Sequence, residues 1–300
     1  MEQIQNNRVI TDLYRENAQF PGIALDGSDV YLCWQRFVDR HDSLMASCRR
    51  GDEVVWEREI SDGGEVLHPV ILAHGGAIWY AWSEYARENW RILARYYRDG
   101  RWGEVLTVAS GEALFFPRLF TWQGRLHVIW TEQHKGSAAA VLCPLTEAGP
   151  GAAETVSAVG EAYRAGAAEG GDGNLYVAYD GFDGKQYKLF ARARTAAGWS
   201  EEIVVSQGED WASTPWIAAK LDGAVVGWYD YGYMAVYSVR SADLTVRDGA
   251  LTAVNPQCLK EGVDWYLDLH VASNSSGLQA MAYTRSKYDV LVCTRRGSEP

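Results

Sequence analysis

Phe116 to Glu132, FPRLFTWQGRLHVIWTE, is the stretch on which the reading of this chain turns. A proline enters a short strand, Gly124 closes a turn, and a second strand ends in an aromatic residue and an acid. The phrase recurs. FPGIALDGSDVYLCWQR runs from Phe20 to Arg36, HPVILAHGGAIWYAWSE from His68 to Glu84, and TPWIAAKLDGAVVGWYDY from Thr214 to Tyr231. AGAAEGGDGNLYVAYDG (Ala165 to Gly181) and LHVASNSSGLQAMAYTR (Leu269 to Arg285) are weaker copies.

The spacing is regular. Pro21 to Pro69 is 48 residues and Pro69 to Pro117 another 48; Pro117 to Pro215 is 98, two repeats of 49 with Gly166 standing where the intervening proline is missing. Trp34, Trp82, Trp130, Tyr179, Tyr229 and Tyr283 close the second strands. A period of roughly 40–50 residues made of short strands is the signature of a β-propeller, one four-stranded blade per repeat. A helical solenoid shares the period. However, runs such as Val30-Tyr31-Leu32-Cys33-Trp34 are rich in β-branched and aromatic residues, which argues for strands.

The expected fold is all-β, one domain over residues 1–300. Its six blades lie at about 21–64, 69–112, 117–160, 166–208, 215–262 and 269–295, the last completed by residues 8–14. Residues 8–21, RVITDLYRENAQFP, read as the end of a repeat, like VLTVASGEALFFP (Val105 to Pro117). Such closure removes two exposed sheet edges. Asp99-Gly100 is a hairpin turn dipeptide, and Trp56, Trp102 and Trp199, each opening an outer strand, are expected to pack between blades. Five or six extra residues around Asn255–Gly262 are expected to form a longer outer connection.

Thirty glycines, 17 tyrosines and 13 tryptophans suit many short strands and tight turns. Lys plus Arg number 28 against 39 Asp plus Glu, a net charge of −11. That disfavours nucleic acid, which needs a basic footprint, and an anionic membrane surface. No apolar run approaches the ~20 residues of a membrane span. The N-terminal stretch shows no apolar core or cleavage signal, so a cytoplasmic location is expected. Five cysteines without a CxxC pair fit buried reduced thiols.

The proline, the Gly turn, the strand ending in Trp or Tyr and the turn before an outer Trp together resemble the repeats of sialidase-like six-bladed propellers. The resemblance covers nearly the whole chain and lies in repeat style. The family's Ser-x-Asp-x-Gly-x-Thr-Trp box is intact nowhere; Asp99-Gly100-Arg101-Trp102 and Ala197-Gly198-Trp199 are remnants at best. Phe116-Pro117-Arg118-Leu119 also departs in order from the family's Phe-Arg-Ile-Pro motif.

In a propeller, residues just before each first strand and just after each second strand meet around one mouth of the channel. Here they are unlike from repeat to repeat, which suits an asymmetric site on a symmetric scaffold. Glu84, Glu132 and Asp230 are the candidate carboxylates for glycosidic acid–base chemistry, and Tyr231 a phenolic nucleophile or donor. Arg36, His68, Tyr85, His134, Arg164, Asp180, Trp211, Trp265, Asp268 and Arg285 are the candidate substrate contacts, because sugar faces stack on aromatic rings and hydroxyls bond to charged groups. No cofactor is expected. No His/Asp cluster has catalytic-metal spacing, although clustered carboxylates also suit Ca²⁺. The expected function is a glycoside hydrolase or lyase acting on a small-molecule or oligosaccharide ligand. A lectin, which would repeat its binding residues, and a protein-interaction platform are the alternatives.

Overall fold

A computed structural model describes residues 17–61, 63–232, 237–263, 269–273, 278–286 and 289–296, the strands beyond 262 as backbone. All regular structure among them is β, and no helix is long and apolar enough to cross a membrane. The chain divides into two compact units, Met1–Ser110 and Gly111–Pro300.

The first unit holds two antiparallel sheets in sequence order. One is β1 (Asn17–Asp26), β2 (Asp29–Val38), β3 (His41–Arg50) and β4 (Glu53–Glu59). The other is β5 (Glu65–His74), β6 (Ala77–Ala86), β7 (Asn89–Arg98) and β8 (Arg101–Trp102), with β9 (Leu106–Gly111) also pairing with β7. The second unit begins with β10 (Ala113–Trp122), β11 (Arg125–His134), β12 (Ser137–Thr146), β13 (Gly149–Pro150) and β14 (Glu154–Thr155). Next come β15 (Ala162–Glu169), β16 (Leu175–Phe182), β17 (Tyr187–Thr195), β18 (Gly198–Trp199) and β19 (Ile203–Val204). A fifth sheet is β20 (Trp211–Lys220), β21 (Gly223–Tyr231), β22 (Tyr237–Arg247) and β23 (Ala250–Val263). β24 (Leu269–Ser273), β25 (Leu278–Ser286) and β26 (Asp289–Arg296) form a sheet of three described strands. Meanders of four or five strands are what propeller blades are made of. Residues 8–14, assigned above to the last blade, lie outside the described residues.

Apolar side chains pack between neighbouring sheets. In the first unit Tyr31, Leu44 and Ile60 of one sheet meet Val66, Tyr80, Trp82 and Leu93 of the next. Burying a Leu- or Ile-sized side chain contributes about 1.5–3 kcal/mol. Trp56 and Trp102 sit in the same layer, ring centroids 5.3 Å apart, and Trp199 packs on the core cluster of the second unit and donates its Nε1 to Glu154 of the preceding sheet at 2.7 Å. The outer tryptophans therefore do join sheets.

First strands also touch first strands: β1 meets β5 in one unit, and β10 meets β15, then β15 meets β20, in the other. Each carries a bulge, with register shifts at Gln19/Gly22, Leu67/Val70, Phe115/Arg118, Tyr163/Gly166 and Ser213/Trp216. The first bulged residue is left-handed: Phe20, His68, Phe116, Arg164 and Thr214 have φ of 51°, 53°, 55°, 43° and 55°. The next is Pro21, Pro69, Pro117, Ala165 or Pro215. Proline has no N–H for the ladder, so a bulge is where a strand tolerates it. The register puts Ala165, not Gly166, at the missing proline.

Two further expectations are corrected. The strands run on past their closing aromatic, so Arg36, Glu84, Glu132, Asp180 and Asp230 lie within β2, β6, β11, β16 and β21 rather than in loops. The extra residues near Asn255–Gly262 form no connection. They lengthen β23 to 14 residues, absorbed by three register shifts against β22.

Candidate functional site

The bulge decides where the site's charges go. In the second unit Arg164, at the left-handed position of β15, turns its guanidinium onto Asp180 of β16. Its Nε lies 3.0 Å from both carboxylate oxygens, and its Nη2 bonds Oδ2 as well. Asp180 is wholly buried, and the amide of Thr214, the bulged residue of β20, also donates to it. Burial pushes the Asp180 pKa up, and Arg164 opposes the shift. The Arg164 guanidinium lies 6.0 Å from the ring of Phe116, and its amide donates to Thr131 Oγ1 at 3.0 Å.

A second cation enters from the neighbouring strand. Arg118 of β10 reaches the Trp216 ring of β20, 3.7 Å from its centroid. Gly166 leaves the gap: a Cβ there would lie 3.2 Å from Ile217 and 3.9 Å from Arg118. Burial pulls the Arg118 pKa down to about 9 while Asp180 pulls it up, so the group stays cationic at neutral pH. Among the described residues no carboxylate forms an ion pair with it.

Beside these charges runs a row of rings. Tyr163 and Phe182 lie 6.1 and 5.5 Å from Tyr187, Tyr187 lies 5.4 Å from Trp211, Trp211 5.5 Å from Tyr231, and Tyr231 5.3 Å from Tyr237. All are spacings at which rings attract. Trp211 is 39% exposed, so the row is open to a ligand. Burial first, then Tyr237, raises the Tyr231 pKa, which keeps it a hydroxyl donor rather than a phenolate.

The register gives a new equivalence among the acids. Trp228, not Tyr229, matches Trp82 and Trp130, so Asp230 matches Glu84 and Glu132. Residues two apart share a face of a strand. Accordingly Trp82 Nε1 donates to Glu84 at 3.2 Å and Trp228 Nε1 to Asp230 at 3.0 Å. Glu84 pairs with Arg91, and Asp230 with Arg240 at 2.6 Å. Burial raises the Asp230 pKa; Trp228 and Arg240 oppose it, and Asp210 adds to it. Glu132 is half-buried, with no ion pair among the described residues, and the Trp130 indole N–H finds no acceptor there.

Of the remaining candidates, Arg36 pairs with Glu59 at 3.0 Å, the His68 ring meets Phe20 edge-on at 5.1 Å, and Tyr85 lies 5.2 Å from Trp90. These belong to the first unit. His134 forms an exposed pair with Glu112 at 3.2 Å. Trp265 and Asp268 lie outside the described residues, and Arg285 is described as backbone of β25. The second unit thus gathers Arg164, Asp180, Trp211, Asp230 and Tyr231 into one neighbourhood. Sequence reasoning missed Arg118, Tyr187, Tyr237 and Arg240. The Trp-x-acid triplets WSE, WTE and WYD were readable; which arginine each acid meets depends on register.

No family profile and no curated protein matches the chain. Solved structures do. Hydrazine synthase of Kuenenia stuttgartiensis is similar over 97% of this chain and 99% of that one, at 12% identity and a TM-score of 0.60. A subtype N10 neuraminidase-like protein from a little yellow-shouldered bat isolate is similar over 91% and 92%, at 9% identity and a TM-score of 0.55. A puromycin-hydrolyzing peptidase of Mycobacterium tuberculosis is similar over 89% of this chain but 42% of its own, at 16% identity and a TM-score of 0.55. This chain therefore spans less than half the length of the peptidase. The likeness is one of fold alone.

Proposed function

We propose that this chain is a carbohydrate-active six-bladed propeller, a glycoside hydrolase or lyase. Residues 8–14 complete its last blade, and the substrate lies along the ring row of the second unit. The row of Tyr187, Trp211 and Tyr231 beside the buried Arg164–Asp180 pair carries this reading. Apolar faces of pyranose rings stack on such a row, while hydroxyls meet the charged groups at its edge. Glycosidic cleavage needs one carboxyl that holds a proton and one that is ionised. Asp230, its pKa raised by burial, is assigned the proton donor. Glu132, half-buried and without an ion pair among the described residues, is assigned the base or nucleophile, and Tyr231 a hydroxyl donor to the substrate. A lyase would use Glu132 to take a ring proton instead.

Turnover of a panel of aryl glycosides and oligosaccharides tests this. Glu132→Gln and Asp230→Asn are expected to lose about 10²–10⁴-fold in kcat with folding intact, and Trp211→Ala to raise KM with kcat nearly unchanged. Saturable binding without turnover would leave a lectin. Neither binding nor turnover, with Trp211→Ala indistinguishable from the parent, would remove the carbohydrate reading.

A further inference from the structure

A cleft of about 640 Å³ opens in the first unit, its lining including Arg40, Glu65, Glu84, Tyr85, Arg87 and Arg91. Its volume suits a small ligand. Glu84 is neutralised within the protein by Arg91 and the Trp82 indole. Arg40 and Arg87 have no ion pair among the described residues, so among the described residues that line the cleft two guanidinium groups stand against the one further carboxylate of Glu65. Tyr85, 36% exposed and backed by Trp90, supplies a ring face beside them.

The backbone gives an independent reason to regard these arginines as placed for use. Arg40 and Arg87 each occupy a two-residue hairpin turn in which both residues have positive φ: Asp39 52° and Arg40 66°, Arg87 53° and Glu88 63°. Such turns strongly prefer glycine or asparagine. Gly75-Gly76, Asp99-Gly100, Gln123-Gly124, Lys135-Gly136 and Asp248-Gly249 have the same signs, and each contains glycine. Only the two turns at this cleft, among the described residues, do without it. A side chain held in the left-handed region costs stability and tends to persist where function needs it.

We propose that this cleft binds a small ligand carrying both an anionic group and a ring. The anion is held between Arg40 and Arg87, and the ring rests on Tyr85. Planar guanidinium groups grip carboxylate and phosphate two-point, so either anion fits. The proposal is independent of the ring row in the second unit.

Titration calorimetry of the full chain with glucuronate, glucose 6-phosphate and glucose tests it. At least one anion is expected to bind, and glucose, which lacks the charge, to bind at least about ten-fold more weakly. The anion that binds distinguishes carboxylate from phosphate. The double variant Arg40→Gly/Arg87→Gly is expected to bind it at least about ten-fold more weakly, yet to melt at or above the parent temperature because glycine relieves both turns. All of these titrations are made in the Trp211→Ala background, so that pyranose stacking on the ring row of the second unit does not contribute to the affinity read. Lack of binding by either anion, equal binding of glucose, or an affinity untouched by the glycine pair would overturn the proposal.

Discussion

Asp180 and Asp230 are acids that burial makes reluctant to ionise, and both are nonetheless held against arginine. Their native pKa values lie above the usual 3.8. In the window between, the native state keeps protons that the unfolded chain has released. Stability contributed by these groups therefore falls as pH rises through that window. Asp230→Asn removes one of them, so its unfolding free energy is expected to decline less steeply than the parent's from about pH 4 upward. Urea melts at several pH values read this directly. Parallel curves would mean that Asp230 is solvated rather than desolvated. Asp29 behaves oppositely: its bonds to Arg50 lower its pKa, so whatever it contributes is lost on acidification. The thiols of Cys33 and Cys143, pushed by burial up to about 12 and about 11, stay protonated and inert throughout.

Neighbouring strands and sheets are pinned by a device that repeats. Ile60, Val156 and Val205 each donate an amide to a carbonyl of the third strand, at Leu44, Ala140 and Leu189. Ser61, Ser157 and Ser206, one residue on, accept from the amides of those same three residues at 3.0, 3.1 and 3.0 Å. Both polar groups of one strand residue are thus satisfied by an apolar-Ser pair. The next sheet then grips the pin. Arg95 Nη1 bonds the Ile60 carbonyl at 3.3 Å and its Nε the Gly103 carbonyl at 2.9 Å. Arg192 does the same to Val156 at 2.7 Å and Ser200 at 3.0 Å, each arginine stacking on the outer Trp of its own sheet. Charged hydrogen bonds to buried carbonyls are each worth about 1.5–3 kcal/mol. Arg192→Leu keeps the apolar stem and is expected to cost about 2–4 kcal/mol by chemical denaturation. A loss under about 0.5 kcal/mol, the scale of an ordinary surface change, would mean the clamp holds nothing. The outer tryptophans were legible because a large ring after a turn has few other uses. The arginines were not, since their partners are backbone carbonyls of another sheet and no side-chain pattern marks them. The site was half-legible for a related reason. Glu84 and Asp230 announce themselves after an aromatic, but polar residues inside a strand look like loop residues until the register is known.

Repetition at about 48 residues is what makes the whole chain readable, and departures from it are informative. Five sheets have four or five strands; the one formed by β24, β25 and β26 has three among the described residues. A three-stranded blade leaves β26, DVLVCTRR, with an edge that invites pairing with other chains. The proposed remedy is RVITDLY, residues 8–14, whose Val, Ile, Thr and Tyr are residue types that strands favour. A loose tail of that composition would be dispensable, whereas a blade-completing strand would not. Deleting residues 1–16 is therefore expected to lower the melting temperature by at least about 5 °C, the equivalent of roughly 2 kcal/mol for a chain of this size. The truncated protein should also self-associate as its concentration rises, despite a net charge that discourages association. Thermal melts with light scattering at two concentrations measure both effects. A truncated chain that melts with the parent and stays monodisperse would show that the last sheet needs no help from the N-terminus, and the count of six complete blades would then have to be given up.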